Sequence, residues 1–231
     1  GARLSLLARR EAPLIECATE AKALGAAGVF IASCDIADRS SVMENMDRSE
    51  KALGKILGFV ANAGIGGPNH AGPQDRFDEI IQTNLMGTYY CLRAAETHLD
   101  ELSSESCHLL VVSSILARFG VPGYTGYCAS KTALLGLVRA LAMELAPKNI
   151  QVNAICPGWV DTEMAREGIA AMAKDMGTSY DDALSTAMQA VPLGRMSQPE
   201  DVAEMVAWLL STGSRGITGQ GLDMNNGAFM S

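Results

Sequence analysis

The sequence of 231 residues is poor in aromatic side chains, which make up only 5% of it, and it contains no long apolar run. A transmembrane helix needs about 20 consecutive apolar residues, so no segment is expected to span a membrane, and no signal peptide is expected either. Hydrophobic residues nevertheless reach 48%. The predicted core is therefore built from aliphatic and small side chains, which suits close packing of helices on a sheet.

Basic residues are fewer than acidic residues. The sequence contains 18 Lys and Arg and 26 Asp and Glu, which gives a net charge of −8. With no basic run along the chain, a nucleic-acid-binding surface is not expected. The six cysteines are scattered, without a Cys-x-x-Cys pair and without clustered histidines. This pattern predicts neither a disulfide framework nor a metal site, and it favours a reducing cytoplasm.

The most informative stretch present is Tyr127-Cys-Ala-Ser-Lys131. Residues four positions apart lie on one face of a helix, so these two side chains are expected to point the same way. A nearby ammonium stabilises a phenolate, which would lower the pKa of Tyr127 and make it a usable general acid or base. Ser114, thirteen residues earlier, could orient a carbonyl oxygen between them. Taken alone, the pair could equally be an interfacial tyrosine beside a solvated lysine.

Four further motifs accompany this pair, namely Asn62-Ala-Gly64, Asn84-Leu-Met-Gly87, Val112-Ser-Ser114 and Cys156-Pro-Gly-Trp-Val-Asp-Thr162. In this order and at these spacings, the sequence resembles the short-chain dehydrogenase/reductase family over nearly its whole length. The pattern is most similar to 3-oxoacyl-carrier-protein reductases and polyketide ketoreductases. The resemblance implies one doubly wound, Rossmann-like α/β domain over residues 1–231, with a parallel sheet and a small helical substrate lid at about 163–196. It also implies hydride transfer between a nicotinamide and a carbonyl or alcohol.

By the same resemblance, the catalytic residues are Asn84, Ser114, Tyr127 and Lys131. Ser114 and Tyr127 would bind the substrate oxygen, and Lys131 would hold the nicotinamide ribose. Asn84 would position a water for proton relay. Asn84 also interrupts the apolar side of a helix predicted from Phe77 to about Leu99, and a helix kink or a merely satisfied amide would explain it as well. Ser113 is expected to serve backbone hydrogen bonding.

The resemblance places cofactor-binding residues near the carboxyl ends of the predicted strands: Arg9, Asp35, Ile36, Asn62, Ala63, Gly64, Tyr127, Lys131, Pro157, Gly158, Val160 and Thr162. Ala8 followed by Arg9 favours NADP over NAD, because an arginine pairs with a 2′-phosphate that a carboxylate would repel. Alternatively, Arg9 and Arg10 simply solvate a loop. Asp35 is expected at the adenine, with a helix N-cap as its alternative role.

Substrate contacts are expected from Ser114, Leu116, Phe119, Tyr124, Trp159 and Met164. Methionines spread through the predicted lid would adapt to an irregular apolar ligand, although ordinary helix packing explains any single one equally well. The chain begins at Gly1 in what the family has as its second strand. The first strand and the glycine-rich phosphate-binding turn are therefore expected upstream, missing from this chain.

We therefore expect an oxidoreductase that reduces a ketone or 3-oxoacyl substrate with NADPH, needs no metal, and forms a homodimer or homotetramer through the helix predicted over Tyr127–Leu145. Two alternatives stay open. One is an NAD-dependent alcohol or sugar-alcohol dehydrogenase, and the other is a catalytically silent nucleotide-binding regulatory protein. The last strand is predicted over Ile217–Asp223. Family members usually end in Asp-Gly-Gly, whereas Met224-Asn-Asn-Gly227 follows Asp223 here.

Overall fold

The computed structural model describes residues 1–101, 103 and 106–230, and within them β-strands alternate with α-helices. The strands are β1 (Arg3–Ala8), β2 (Gly28–Ser33), β3 (Gly58–Ala61), β4 (Cys107–Val112), β5 (Ile150–Pro157) and β6 (Gly221–Met224). The helices are α1 (Glu11–Ala23), α2 (Arg39–Leu53), α3 (Phe77–Ile81), α4 (Thr88–His98), α5 (Thr125–Leu145), α6 (Glu163–Met176), α7 (Tyr180–Gln189) and α8 (Pro199–Leu209).

Every strand pair in the described chain is parallel, as the sequence predicts. β1 pairs with β2, and β3, β4, β5 and β6 form a second sheet in that order, without a described ladder between β1 and β3. Helical crossovers connect the strands, as parallel pairing requires. Because all strands run the same way within each sheet, their carboxyl ends gather at one edge, where ligands bind in doubly wound folds.

The core lies on both faces of the larger sheet. Every residue of β5 is buried, in keeping with a strand that is covered on both sides. One face, with Leu109 and Val152, packs against the helices α4 and α5, and the other, with Leu110 and Ile155, packs against Leu209 of α8. The buried side chains are mainly aliphatic, which confirms the prediction from composition.

The helix predicted from Phe77 to about Leu99 is not one regular α-helix. A π-helical turn over Gln82–Gly87 separates α3 from α4. Its Asn84 side chain bonds the backbone of Ile65, and a Cβ on Gly87 would lie 2.9 Å from the carbonyl oxygen of Ile36. These close approaches accompany an irregular turn of the kind that often marks functional sites. The structure thus shows both an irregular helical turn and an amide satisfied by backbone groups at Asn84.

The last strand is shorter than predicted, because it begins at Gly221 rather than Ile217. Gly219 adopts a positive φ of 74°, which turns the chain before the ladder starts. Its neighbour Thr218 accepts a hydrogen bond from the Val152 N–H through the side-chain hydroxyl, at 3.0 Å. The segment therefore lies against β5 without being part of a regular strand.

None of the helices in the described part of the chain combines the length and the apolar composition that a bilayer crossing requires. Over the same residues, no group of three or more His, Cys, Asp and Glu side chains is arranged to hold a metal ion. All six cysteines are free thiols, and four of them are buried.

Candidate active site

The predicted site residues gather along the carboxyl edge of the two sheets. Arg9 follows β1, Asp35 and Ile36 follow β2, and Asn62, Ala63 and Gly64 follow β3. Ser114 follows β4, and Pro157 ends β5. This edge is also where the first turns of α5 lie, because the Lys131 ammonium reaches the last residue of β4. The fold therefore brings motifs that are far apart in sequence to one place.

Helix α5 carries both members of the central pair, one turn apart. Nζ of Lys131 lies 5.6 Å from the centroid of the Tyr127 ring, so the two side chains share a face as predicted. Lys131 is only 5% exposed, and its ammonium donates a hydrogen bond to the carbonyl oxygen of Val112 at 2.9 Å. Burial lowers the pKa of Lys131 to about 8, so the side chain still carries its proton at neutral pH.

The Ser114 hydroxyl meets the phenol of Tyr127. Ser114 is buried and caps a short 3₁₀ turn, where its Oγ accepts a hydrogen bond from the Leu116 N–H at 3.1 Å. Burial raises the pKa of Tyr127, and a hydrogen bond to Ser114 lowers that pKa by a smaller amount. The prediction of a lowered phenol pKa is therefore wrong for the free protein, because loss of solvent outweighs the favourable contacts. Tyr127 is a neutral phenol near pH 7.

Asn84 is completely buried, and its amide has defined partners. Oδ1 accepts from the Ile65 N–H at 2.8 Å, while Nδ2 donates to the Ile65 carbonyl at 2.9 Å and to Ser130 Oγ at 3.2 Å. Both amide hydrogens are thus used, and only Oδ1 keeps a second lone pair for another donor. The amide therefore joins the loop after β3 to helix α5.

Two serines complete this network. Ser113 Oγ donates to the carbonyl oxygen of Lys131 at 2.9 Å, which confirms the predicted backbone role. Ser130 Oγ donates to the Tyr127 carbonyl at 2.8 Å and accepts from Asn84. The sequence interpretation missed Ser130, although it lies within the Tyr-to-Lys motif itself. A polar residue on the predicted inner face of the helix was the signal that could have identified it.

The predicted cofactor-binding residues after β3 and β2 lie close to the strand ends. A Cβ on Gly64 would lie 3.1 Å from Asn84 Oδ1 and 3.5 Å from Lys131 Nζ, so the backbone comes close to the catalytic groups here. Asp35 is exposed beside the partly buried Ile36, and its Oδ1 accepts from the Ala37 N–H at 3.0 Å. The N-cap of α2 is Asp38 instead, so the alternative role proposed for Asp35 is wrong.

The arginines after β1 lie at the surface of the same edge. Arg9 is exposed, and its carbonyl oxygen accepts a hydrogen bond from Ser33 Oγ at 3.1 Å. Arg10 comes within 4.0 Å of Glu163 at the start of α6, with both side chains 78% exposed. Screening makes such a pair weak. Arg9 is thus exposed at the end of β1, with its carbonyl oxygen bonded to β2.

The loop after β5 is held by its neighbours. A Cβ on Gly158 would lie 3.0 Å from Cα of Asn225, so only glycine fits without a shift. Val160 forms an isolated bridge with Ser197. Thr162 caps α6, and its hydroxyl donates to the Val160 carbonyl at 3.3 Å. In this structure Val160 and Thr162, which are both predicted to bind the cofactor, thus contact each other.

Among the predicted substrate residues, Trp159 packs against the α6–α7 cluster around Ile169. Leu116 and Tyr124 are partly buried, and Phe119 is 40% exposed. The Phe119 ring lies 6.2 Å from that of Phe229, a residue the sequence interpretation did not select. Met164 of α6 reaches the loop after β3, with its sulfur 2.9 Å from where a Cβ on Gly66 would stand.

A parallel doubly wound sheet whose strand ends gather a serine, a tyrosine and a buried lysine defines an NAD(P)-dependent oxidoreductase. A family model described as enoyl-(acyl carrier protein) reductase matches residues 1–228. The chain belongs to the short-chain dehydrogenase/reductase family.

Named relatives agree with this assignment. The chain is 37% identical over 202 residues to a monensin polyketide synthase putative ketoacyl reductase of Streptomyces virginiae, covering 84% of this chain and 75% of that one. It is 32% identical over 223 residues to the inactive 2-(S)-hydroxypropyl-CoM dehydrogenase 2 of Xanthobacter autotrophicus, covering 95% and 91%. Among solved structures, a mutant actinorhodin polyketide ketoreductase with NADPH matches with a TM-score of 0.91 at 28% identity, covering 98% of this chain and 87% of that one.

Proposed function

We propose that the protein reduces a ketone, a 3-oxoacyl compound or a related carbonyl substrate with NADPH. The observation that carries this proposal is the hydrogen bond between the buried Ser114 hydroxyl and the partly buried Tyr127 phenol, one helical turn from the Lys131 ammonium. Two hydroxyls that converge in a site of low dielectric polarise a carbonyl oxygen without a metal. The bound nicotinamide supplies or accepts the hydride.

The protonation state of Tyr127 favours the reductive direction. Because burial keeps the phenol neutral near pH 7, it holds the proton that an alkoxide must receive. Lys131 keeps its proton at that pH and stabilises the phenolate that this transfer leaves. In the opposite direction the phenol must first be deprotonated, which its raised pKa disfavours. Oxidation of an alcohol is therefore expected to need higher pH.

Proton return would use a water beside Lys131 and Asn84. Asn84 Oδ1 has one free lone pair, and both Oδ1 and the Lys131 Nζ border the space above Gly64. The Asn84 side chain acts mainly by holding Ile65 and Ser130. Its part in a relay is then limited to accepting one hydrogen bond.

The remaining residues are assigned to binding. Arg9 would pair with a 2′-phosphate, and Asp35 and Ile36 would contact the adenine. The Asn62–Gly64 turn and Lys131 would hold the nicotinamide ribose, while Pro157, Gly158, Val160 and Thr162 would contact the carboxamide. Helices α6 and α7 would form a substrate lid, which the contact of Met164 with the loop after β3 supports. The Thr162 hydroxyl would have to leave Val160 to meet the cofactor.

The α5 helix is the proposed subunit interface of a homodimer or homotetramer. Met143 on this helix is 81% exposed, which is unusual for a long apolar side chain in a helix with so wide an apolar face. A reducing cytoplasm is the proposed location, supported by the free state of all six cysteines.

The test follows NADPH absorbance with a panel of small ketones and 3-oxoacyl thioesters. Tyr127→Phe should lower kcat by about 10²-fold or more, because it removes the proton donor but little volume. Tyr89→Phe on α4, where the ring packs against Arg93, is the matched control. Equal rates for wild type and Tyr127→Phe would exclude the enzyme assignment, and higher kcat/KM with NAD and a secondary alcohol would favour the dehydrogenase alternative.

A catalytically silent protein is the second candidate, since one relative is named an inactive dehydrogenase. It predicts dinucleotide binding without turnover of any carbonyl or alcohol in the panel. Calorimetric titration with each dinucleotide, run on the same preparation as the rate assay, separates the two candidates.

A further inference from the structure

The first turn of α5 is not capped by its own sequence. Tyr124 precedes the helix without a side-chain hydrogen bond to it, although the first N–H groups of any helix lack acceptors within the helix. The Gly126 N–H instead donates to Oδ1 of Asn69 at 2.8 Å. Asn69 lies in the loop after β3, 57 residues earlier. A distant side chain therefore holds the start of the catalytic helix.

Asn69 is only 7% exposed, and its amide makes contacts in two directions. Nδ2 donates to Thr125 Oγ1 at 2.9 Å and to Asp75 Oδ1 at 3.1 Å. The same Asp75 oxygen accepts from the Phe77 N–H at 3.0 Å, at the beginning of α3. The amide is thus placed between the amino ends of α3 and α5, and it joins both to the loop that carries the Asn62–Gly64 turn.

Asn69 and Phe77 pack closely against Gly126 in the first turn of α5. A Cβ on Gly126 would lie 3.2 Å from Asn69 Oδ1 and 3.4 Å from Cα of Phe77. The Asn69 main-chain N–H also donates to the carbonyl oxygen of Gly123 at 2.7 Å, just before the helix. With contacts on both sides of the helix start, the first turn cannot slide along its axis or rotate without breaking buried hydrogen bonds.

We infer that Asn69 is a positioning residue for the reaction, because it fixes the residue next to Tyr127 and hence the phenol relative to Ser114. One residue of an α-helix corresponds to about 1.5 Å of rise and 100° of rotation, so a small error at Gly126 moves the phenol directly. A misplacement of about 1 Å can cost about 10²-fold in rate. This inference rests on the proposed function.

The first experiment compares Asn69→Ala with Asn153→Ala. Asn153 is a buried amide of β5 that donates to the Ile217 carbonyl at 2.8 Å and accepts from the Gln220 N–H at 3.1 Å, away from the catalytic helix. Both variants should lower the melting temperature. Below that temperature, Asn69→Ala should lower kcat at least about 10-fold with little change in the KM for the dinucleotide, whereas Asn153→Ala should change kcat less than about 3-fold. Equal effects on kcat would overturn the inference.

The second experiment exchanges the amide and the carboxylate. Asn69→Asp keeps the acceptor for Gly126 but places two carboxylates together, so kcat should fall. The double variant Asn69→Asp with Asp75→Asn restores a donor facing an acceptor but takes the acceptor from the Phe77 N–H, so kcat should rise above that of Asn69→Asp without reaching the wild-type value. If Asn69→Ala does not fold, the comparison of Asn69→Asp with the double variant tests the inference. A double variant as slow as Asn69→Asp alone contradicts the inference.

The two proposals fail in different ways. If the wild-type protein turns over no carbonyl or alcohol, the proposed function is wrong and no kcat can be compared. If the wild type is active and Asn69→Ala retains its kcat, the proposed function stands and only the role of Asn69 is refuted.

Discussion

The ammonium of Lys131 is 2.9 Å from the carbonyl oxygen of Val112, the last residue of β4, and it is almost completely removed from solvent. A positive charge in this position is costly, and burial lowers its pKa from the ordinary value of 10.5 to about 8. The protein thus has a buried ammonium group at the centre of its site, although burying this charge destabilises the fold. Such a conflict between stability and local chemistry is typical of functional sites.

Replacing Lys131 by methionine should make this cost visible in the pH dependence of stability. Between pH 8 and 10.5 the unfolded chain keeps a proton on Lys131 that the folded protein has released, so rising pH stabilises the wild type. Relative to Lys131→Met, the free energy of unfolding of the wild type should therefore rise by about 3 kcal/mol across that window. Urea unfolding at several pH values measures this difference. If the difference in the free energy of unfolding between the wild type and Lys131→Met does not change with pH, burial does not lower the pKa of Lys131.

Ser114→Ala should slow the reaction by about 10²-fold and also move its pH profile, because the Ser114 hydroxyl lowers the pKa of Tyr127. In alcohol oxidation the phenolate is the base, so the rate rises with pH through this pKa. Without the serine, the inflection should move to higher pH. The neighbouring Ser113→Ala is the matched control, since Ser113 bonds the Lys131 carbonyl and its loss should lower stability by about 1 kcal/mol. If Ser113→Ala moves the pH inflection as far as Ser114→Ala does, the proposed effect of the Ser114 hydroxyl on the Tyr127 pKa is wrong.

Much of this arrangement could be predicted from local patterns. The four-residue spacing of Tyr127 and Lys131 places them on one helix face, and apolar runs before the Asn62–Gly64 turn and Ser114 indicate parallel strands. Because such strands end at a common edge, the catalytic groups were expected to converge there. Helical periodicity predicts the Tyr127–Lys131 pair, whereas the choice of Ser114 and of the Asn62–Gly64 turn rests on the family resemblance.

Other features depend on contacts that local patterns do not contain. The π-helical turn is accompanied by bonds between Asn84 and Ile65, nineteen residues apart, and the cap on α5 comes from Asn69, 57 residues before its partner. The direction of the Tyr127 pKa depends on how much solvent the folded chain excludes. Spacing identifies which groups meet, but the electrostatics of the site follow from burial in three dimensions.

Arg9→Glu should change the choice of dinucleotide. If Arg9 pairs with a 2′-phosphate, its loss removes a charge-assisted hydrogen bond of about 1.5–3 kcal/mol, which is about 10- to 100-fold in kcat/KM for NADPH. The rate with NADH should change much less, and because Arg9 is exposed, the melting temperature should stay the same. Arg10→Glu, which alters the charge one position further on, is the control. Parallel losses with NADPH and NADH would argue that Arg9 only solvates a loop.

Gly64→Ala tests how closely the loop after β3 must approach the catalytic groups. The added methyl group would lie 3.1 Å from Asn84 Oδ1 and 3.5 Å from Lys131 Nζ, so the loop or the buried amide has to shift. Because Asn84 also bonds Ser130 on the catalytic helix, the disturbance should reach the helix and lower kcat at least about 10-fold.

The control for this substitution lies on the catalytic helix itself. An added Cβ at the exposed Gly136 of α5 meets no atom within 4 Å, so Gly136→Ala should leave activity unchanged and raise the free energy of unfolding by about 0.5–1 kcal/mol. Steady-state rates and thermal melts of both variants provide the comparison. Full activity in Gly64→Ala would show that the reaction tolerates the small shift that the close approach to Asn84 Oδ1 requires.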